Sequence, residues 1–382
     1  NFLFLIYLFL VPYSEVFRVF QIISPKISNI PNLYNIINDL GLDSSKILSI
    51  SFTLLTANLF YISYLMYNYG VKSSLLFQQK EGIPLIGISG DSGSGKTTVS
   101  KIIAKMFGLS NTNIICGDDV HKWERQDKNW ENFTHVNPIS NEIHLHCKQI
   151  ESMKNKQEVL RRKYDHKTGK FTSPKIVKSK DYIIDEGLHT FMINNKKIYD
   201  LKIYMDPEMS LKIYWKINRD VKQRGYSKEQ VISAINKRKI DSEKYVSPQK
   251  NSADLIFSFR PQKDIEYFIN ENKKIYYYLE ILLKSDINID PLIRKLEKIS
   301  GLEINSNYPD VSFRRIIIKN NINSKQIINI IKNLDMDYTE YEIKFEGILD
   351  NNEGLIQLFS LYCLNERLNQ KYDSGENNAK RF

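Results

Sequence analysis

The chain has 382 residues, 42% hydrophobic and 26% charged, with a formal net charge of +10 at pH 7. That length and balance exclude a disordered or fibrous chain and leave room for two or three domains with buried cores. Three cysteines, Cys116, Cys147 and Cys363, form no Cys-x-x-Cys pair, which excludes a disulfide scaffold and fits reduced thiols in a cytosolic compartment. The positive balance admits nucleic acid, anionic lipid or a small anionic molecule as partner. No nucleic-acid-binding module accompanies the scattered lysines, so no nucleic acid is expected. His135, His144 and His146 lack the flanking cysteines or carboxylates of a metal site.

The chain starts at Asn1 instead of Met, which reads as a fragment or a processed form. Residues 1–12 are almost wholly apolar, and residues 47–71 carry no charge between Lys46 and Lys72. About twenty apolar residues span a bilayer, so a membrane-spanning helix is expected over about 47–71. Tyr64, Tyr67 and Tyr69 would suit its interfacial end. The whole region 1–80 is expected as a hydrophobic helical unit that associates with a membrane, closed by the polar linker Gln78 to Glu81.

From Ile83 onward, short β-rich runs alternate with longer helical ones. Strands are expected over 83–89, 113–117, 181–185, 200–205, 253–258 and 274–283. Helices are expected over 96–107, 141–153, 207–223, 227–243 and 290–300. This alternation predicts an α/β fold with a parallel sheet covered by helices on both faces, over a domain 81–300. After Gly301, strands at 315–319 and 339–346 and helices at 324–333 and 353–368 predict a small C-terminal α+β appendage, 301–382. Such an appendage could contribute an effector site or the interface of a homo-oligomer.

The first strand runs into Gly90-Asp91-Ser92-Gly93-Ser94-Gly95-Lys96-Thr97-Thr98, and a helix-like run follows. Gly90, Gly95, Lys96 and Thr97 meet the pattern G-x-x-x-x-G-K-[ST] in the strand–turn–helix setting it requires. Glycines let successive backbone N–H groups face phosphate oxygens, the helix start adds positive charge, and Lys96 reaches the outer phosphates. The expected ligand is a nucleoside triphosphate, with the Thr97 hydroxyl offered to Mg2+.

Phosphoryl transfer also needs a metal-side acid, a base and cations. The strand Tyr182-Ile-Ile-Asp185-Glu186 delivers a carboxylate to the sheet edge where ligands bind, from either Asp185 or Glu186. The strand before it ends in Asp118-Asp119-Val120-His121-Lys122-Trp123-Glu124-Arg125. One of the two aspartates is expected to face the acceptor hydroxyl as base, while His121 and Arg125 hold an anionic group. Lys216, Arg219, Asp220 and Arg224, late in a helix that breaks at Gly225, suit a lid that closes over phosphates.

These residues resemble the phosphoribulokinase/uridine kinase family: the glycine-rich turn, Asp118…His121…Arg125, Asp185-Glu186-Gly187-Leu188-His189, and Arg219-Asp220…Arg224-Gly225. Thr134 to Asn141, Tyr164-Asp-His166-Lys-Thr-Gly169 and Tyr245 to Lys250 are similar to the phosphoribulokinase branch. The resemblance covers 83–260 and leaves the N-terminal region without a counterpart. It implies an ATP- and Mg2+-dependent kinase acting on the C1 hydroxyl of ribulose 5-phosphate. It further implies Asp118 as general base, and His121, Arg125 and His166 as sugar-phosphate contacts. Glu186 would be the metal-associated acid, and Lys216, Arg219, Asp220 and Arg224 the substrate-side cations with their partner acid. Photosynthetic members are switched off by a disulfide between the turn and the end of the next strand. Here Ser94 stands at the first position and Cys116 at the second, so that disulfide cannot form. The alternatives are a uridine or other nucleoside kinase, or a nucleotide-binding membrane regulator without catalysis. With ATP as substrate, the kinase domain is expected on the cytoplasmic side.

Overall fold

A computed structural model describes residues 83–192, 198–265, 275–334, 336 and 341–379, together with 56, 58, 59, 61, 63 and 64. The chain divides into a unit Asn1–Lys80 and a compact unit Glu81–Phe382. In the first, the six described residues are helical, and the rest of the expected span 47–71 lies outside the described residues. Among the described residues, no helix is long and apolar enough to cross a membrane.

In the second unit the elements run β1 (Leu85–Gly90), α1 (Lys96–Phe107), β2 (Thr112–Cys116), α2 (Ile143–Lys154), β3 (Val159–Arg161), β4 (Tyr164–Asp165), β5 (Lys170–Phe171), β6 (Lys175–Val177), β7 (Tyr182–Gly187) and β8 (Leu201–Met205). They continue with α3 (Met209–Arg224), α4 (Lys228–Asp241), β9 (Leu255–Pro261), β10 (Tyr277–Lys284), α5 (Asp290–Leu296), β11 (Glu303–Asn307), β12 (Phe313–Lys319), α6 (Ser324–Asn333) and α7 (Asn351–Ala379). Among the described residues, eight strands form one sheet in the order β11-β12-β10-β9-β8-β1-β7-β2. The pairs from β9 to β2 are parallel, and those among β9, β10, β12 and β11 are antiparallel.

Strand β1 is buried at every position, as a central parallel strand covered on both faces must be. In α1, Val99, Ile102, Ile103, Met106 and Phe107 recur every three or four residues and turn one stripe into the core. Ser227 and Gln230 start α4 with a reciprocal capping box, and Asn323 and Gln326 do the same for α6. One core face joins α1 to α5, α6 and α7, and the other lies against α2.

The segment after Gly301 has the expected α+β content, but its strands extend the same sheet and its helices share the same core. The strand expected at 339–346 does not form in its described part. Residues 341–344 are irregular and Phe345–Gly347 is a short 3-10 turn. Tyr341 and Ile343 are buried by packing with the helices, so their alternation reflects a covered loop, and Lys344 N–H donates to the Met106 carbonyl at 2.8 Å. β11 and the short ladders β3–β6 and β4–β5 carry too little pattern to be expected from two to five residues each.

Candidate active site

The turn between β1 and α1 places its residues as the motif requires. Gly93 and Gly95 have φ of +85° and +94°, a left-handed backbone that glycine alone adopts without strain. Gly95 opens α1, so the helix begins without a side-chain cap and its first N–H groups face the turn. Lys96 Nζ donates to the Gly90 and Asp91 carbonyls, both at 2.9 Å. Burial pulls the Lys96 ammonium down, against the carboxylates of Glu186, Asp118 and Asp91. Thr98 is exposed on the first turn of the helix.

Strand β7 separates the two acids that the sequence left open, because adjacent strand residues face opposite sides. Asp185 is fully buried and accepts from His146 Nε2 at 2.8 Å and the Tyr199 hydroxyl at 2.6 Å. Glu186 faces α1 and accepts from the Thr97 hydroxyl at 3.0 Å. Burial pushes the Glu186 carboxyl up to about 7, against the pull of Lys96 and Thr97. Thr97 and Glu186 together present hard oxygen donors, the kind that suits Mg2+ held by one carboxylate and by phosphates. The residues present therefore fit a nucleotide and its metal.

Beyond β2 the chain turns through Gly117–Val120 and splits the next two acids. Asp119 accepts from the Tyr164 N–H at 2.9 Å and pairs with Arg161 at 3.6 Å, which ties it into the scaffold. Asp118 faces His166 Nε2 at 3.3 Å and His121 Nε2 at 3.7 Å. Burial would raise the Asp118 carboxyl. The His166 hydrogen bond and the charges of His121, His166 and Lys96 outweigh it and hold the group well below the usual carboxylate range. His121 is buried, and its Nδ1 donates at 2.7 Å to Asn141 Oδ1, whose amide nitrogen is engaged by the His135 and Asn137 carbonyls. Arg125 donates to the His166 and Lys167 carbonyls and so clamps the hairpin that carries His166.

On α3, Asp220 gathers the cations: Arg219 Nε at 2.8 Å, and Lys216 Nζ and Arg224 Nη1 each at 3.4 Å. Lys216 also donates to the Ser92 hydroxyl at 2.8 Å, which joins the helix to the phosphate-binding turn. Burial, then the charge of Arg238, pulls the Lys216 ammonium down to about 7. The structure thus places the phosphate-binding turn, Glu186 and Asp118 at the strand ends, with His121 and His166 against Asp118 and α3 joined to the turn through Lys216.

It adds residues that sequence reasoning missed. Lys212 pairs with Asp91 at 2.7 Å. Arg238 donates to His135 Nδ1 at 3.3 Å, and Arg162 to the His121 carbonyl at 2.7 Å. Gln249, buried, accepts from Ser89 Oγ at 2.8 Å behind the turn. Two of these had a signal: Lys212 lies one helical turn before Lys216, and Gln249 falls within the stretch Tyr245 to Lys250.

Residues 85–266 match the model of the phosphoribulokinase/uridine kinase family. A phosphoribulokinase of Synechocystis sp. is 34% identical over 189 residues, 49% of this chain and 57% of that one. A phosphoribulokinase of Sinorhizobium medicae is 31% identical over 207 residues, 47% of this chain and 71% of that one. A uridine kinase of Latilactobacillus sakei is 30% identical over 187 residues, 47% of this chain and 86% of that one. The chain spans about half the length of the curated relatives it matches first. With its phosphate-binding turn, its acid-bearing strand ends and relatives covered over most of their length, this chain belongs to the phosphoribulokinase/uridine kinase family.

Proposed function

We propose that this chain is an ATP- and Mg2+-dependent kinase that transfers a phosphoryl group to a hydroxyl of a small phosphorylated sugar, with ribulose 5-phosphate as the acceptor. The observation that carries this reading is Asp118. It sits between His166 and His121 and shares the field of Lys96 with Glu186. A base thus stands beside the phosphate-binding turn, within a ring of side chains suited to an anionic acceptor. The phosphoribulokinase relatives support the choice of acceptor.

Thr97 and Glu186 would hold Mg2+, which when bound supplies positive charge against the phosphates. Lys96 presents its ammonium where the β- and γ-phosphates would lie. His121, Arg125 and His166 orient the acceptor through its own phosphate. Asp118, ionised at neutral pH, takes the hydroxyl proton as the bond to phosphorus forms. Lys216, Arg219 and Arg224 lie on the acceptor side, where they face both the acceptor and the charge that spreads over the transferred oxygens. The membrane anchor expected at 47–71 is without support among the described residues and forms no part of this reading.

The test is an ADP-release assay on the full chain with ATP and Mg2+, comparing ribulose 5-phosphate, uridine, ribose 5-phosphate and arabinose 5-phosphate. Turnover on ribulose 5-phosphate is the expected result. Turnover on uridine alone would make the chain a nucleoside kinase. ATP binding with no turnover on any of the four would leave an acceptor outside this set or the regulator.

A further inference from the structure

The phosphate-binding turn is held from outside by α3 at three points. Lys212 Nζ lies 2.7 Å from Asp91 Oδ2, and the two side chains are only 15% and 20% exposed. One turn later, Lys216 Nζ donates to Ser92 Oγ at 2.8 Å. Between them the backbones close in: a Cβ placed on Gly93 would stand 3.0 Å from Lys216 Cβ, nearer than ordinary packing allows. Asp91 is bound on its other oxygen by the Ser92 N–H at 2.6 Å, so one carboxylate spans turn and helix.

The helix that makes these contacts is fixed at its start and charged at its end. The Glu208 N–H donates to the Phe259 carbonyl at 2.9 Å, its side chain caps the Ser210 N–H at 3.2 Å, and Leu211 is fully buried. Positions 212, 216, 220 and 224 follow at four-residue steps along one side of α3, and Arg219 flanks them. An α-helix rises about 1.5 Å per residue, so this row is roughly 18 Å long and behaves as one rigid bar. A displacement of the turn at 91–93 therefore reaches Arg219, Asp220 and Arg224 through the same backbone.

We propose that Lys212 is a positioning residue whose pair with Asp91 couples the nucleotide site to the acceptor site, by seating α3 on the phosphate-binding turn. Nucleotide binding that orders the turn then also sets the acceptor-side cations, and the acceptor binds more tightly to the nucleotide-loaded protein. Lys212 acts only through Asp91 and the helix. This inference rests on the proposed kinase reading for the identity of the acceptor.

The test uses the full chain and two readouts. In the first, ribulose 5-phosphate affinity is measured with and without AMP-PNP and Mg2+. The wild type is expected to gain roughly 5- to 50-fold on nucleotide loading, the usual range of such coupling. Lys212→Met is expected to gain less than about twofold and Lys212→Arg to restore most of the gain. In steady state, Lys212→Met should raise the acceptor KM more than the ATP KM. In the second readout, hydrogen exchange across 209–224 is followed with AMP-PNP alone. The wild type should gain protection and Lys212→Met should not. Lys212→Gln serves in place of Met if the latter does not fold. Full coupling and full α3 protection in these variants would overturn the proposal. If the wild type neither binds nor turns over ribulose 5-phosphate while α3 protection still depends on Lys212, the acceptor assignment fails and the helix–turn link stands.

Discussion

Where β1, β2 and β7 end, Asp118 and Glu186 are held by partners that can be exchanged: two histidines for the first, a threonine hydroxyl for the second. At the opposite edge, where β8 and β9 begin, the side chains of Asp200 and Asp254 are each only 4% exposed, against 29% for Asp118, and are held by permanent partners. Asp200 accepts from the Leu85 N–H at 2.9 Å and from Lys154 at 2.8 Å, and pairs with Lys371 at 3.3 Å. Asp254 accepts from the Lys202 N–H at 2.9 Å and pairs with Arg367 at 3.0 Å. A buried carboxylate needs such partners merely to stay charged. At the second edge they saturate it and pin α7 to the sheet. At the first they leave an oxygen that can deal with a ligand. Burial alone does not make a site; the replaceability of the partner does.

The comparison is broken most sharply at Asp118. Asp118→Asn removes the proton acceptor while keeping shape, and turnover should fall by about 10²- to 10⁴-fold with nucleotide affinity nearly intact. Thermal melting should move little, since the His166 and His121 contacts are few and exchangeable. Near-normal turnover in that variant would take Asp118 out of the base role and make the two edges alike.

At the other edge the expected signs reverse. Asp254→Asn leaves Lys202 and Arg367 facing a neutral amide, and loss of one partner from a buried pair costs on the order of 3 kcal/mol. Melting should drop by several degrees, while turnover per folded molecule stays within about twofold of the wild type. A stable variant with crippled turnover would show that the lower edge takes part in catalysis.

How much of this could be read in advance follows from what each residue depends on. The turn at 90–97 was legible because glycine positions, Lys96 and Thr97 are dictated by local backbone geometry and one ligand chemistry. The choice between Asp185 and Glu186 was not legible in the strand itself, because alternation marks opposite faces without saying which meets α1; only the family resemblance named Glu186. The pairing of Asp91 with Lys212 joins residues 121 positions apart and leaves no local trace. The 341–347 segment misled for a related reason: alternating Tyr341 and Ile343 bury as well beneath helices as in a strand. That β12 joins the main sheet was not legible, because nothing in it announces that β10 is its neighbour.

The smallest effect is expected at Lys216, and it sharpens the comparison through pH. Burial and the charge of Arg238 hold its ammonium at about 7, although Asp220 pulls the other way. Near neutrality the free protein is therefore a mixture of charged and uncharged Lys216. A phosphate group beside Ser92 favours the charged form, so its binding raises the pKa and takes up a proton. Affinity for ADP without Mg2+ is thus fully present below about pH 7 and declines above it, by up to about tenfold per unit until the pKa of the complex is reached. The metal is left out because Glu186, also at about 7, would gain affinity for it over the same range. Lys216→Arg keeps the charge at every accessible pH and should flatten the profile between pH 7 and 8. The permanently paired cations of the lower edge, Lys154 and Arg367, should leave the profile unchanged when substituted. The same slope in Lys216→Arg as in the wild type would assign the proton to another group, with the histidines around Asp118 next to be tested.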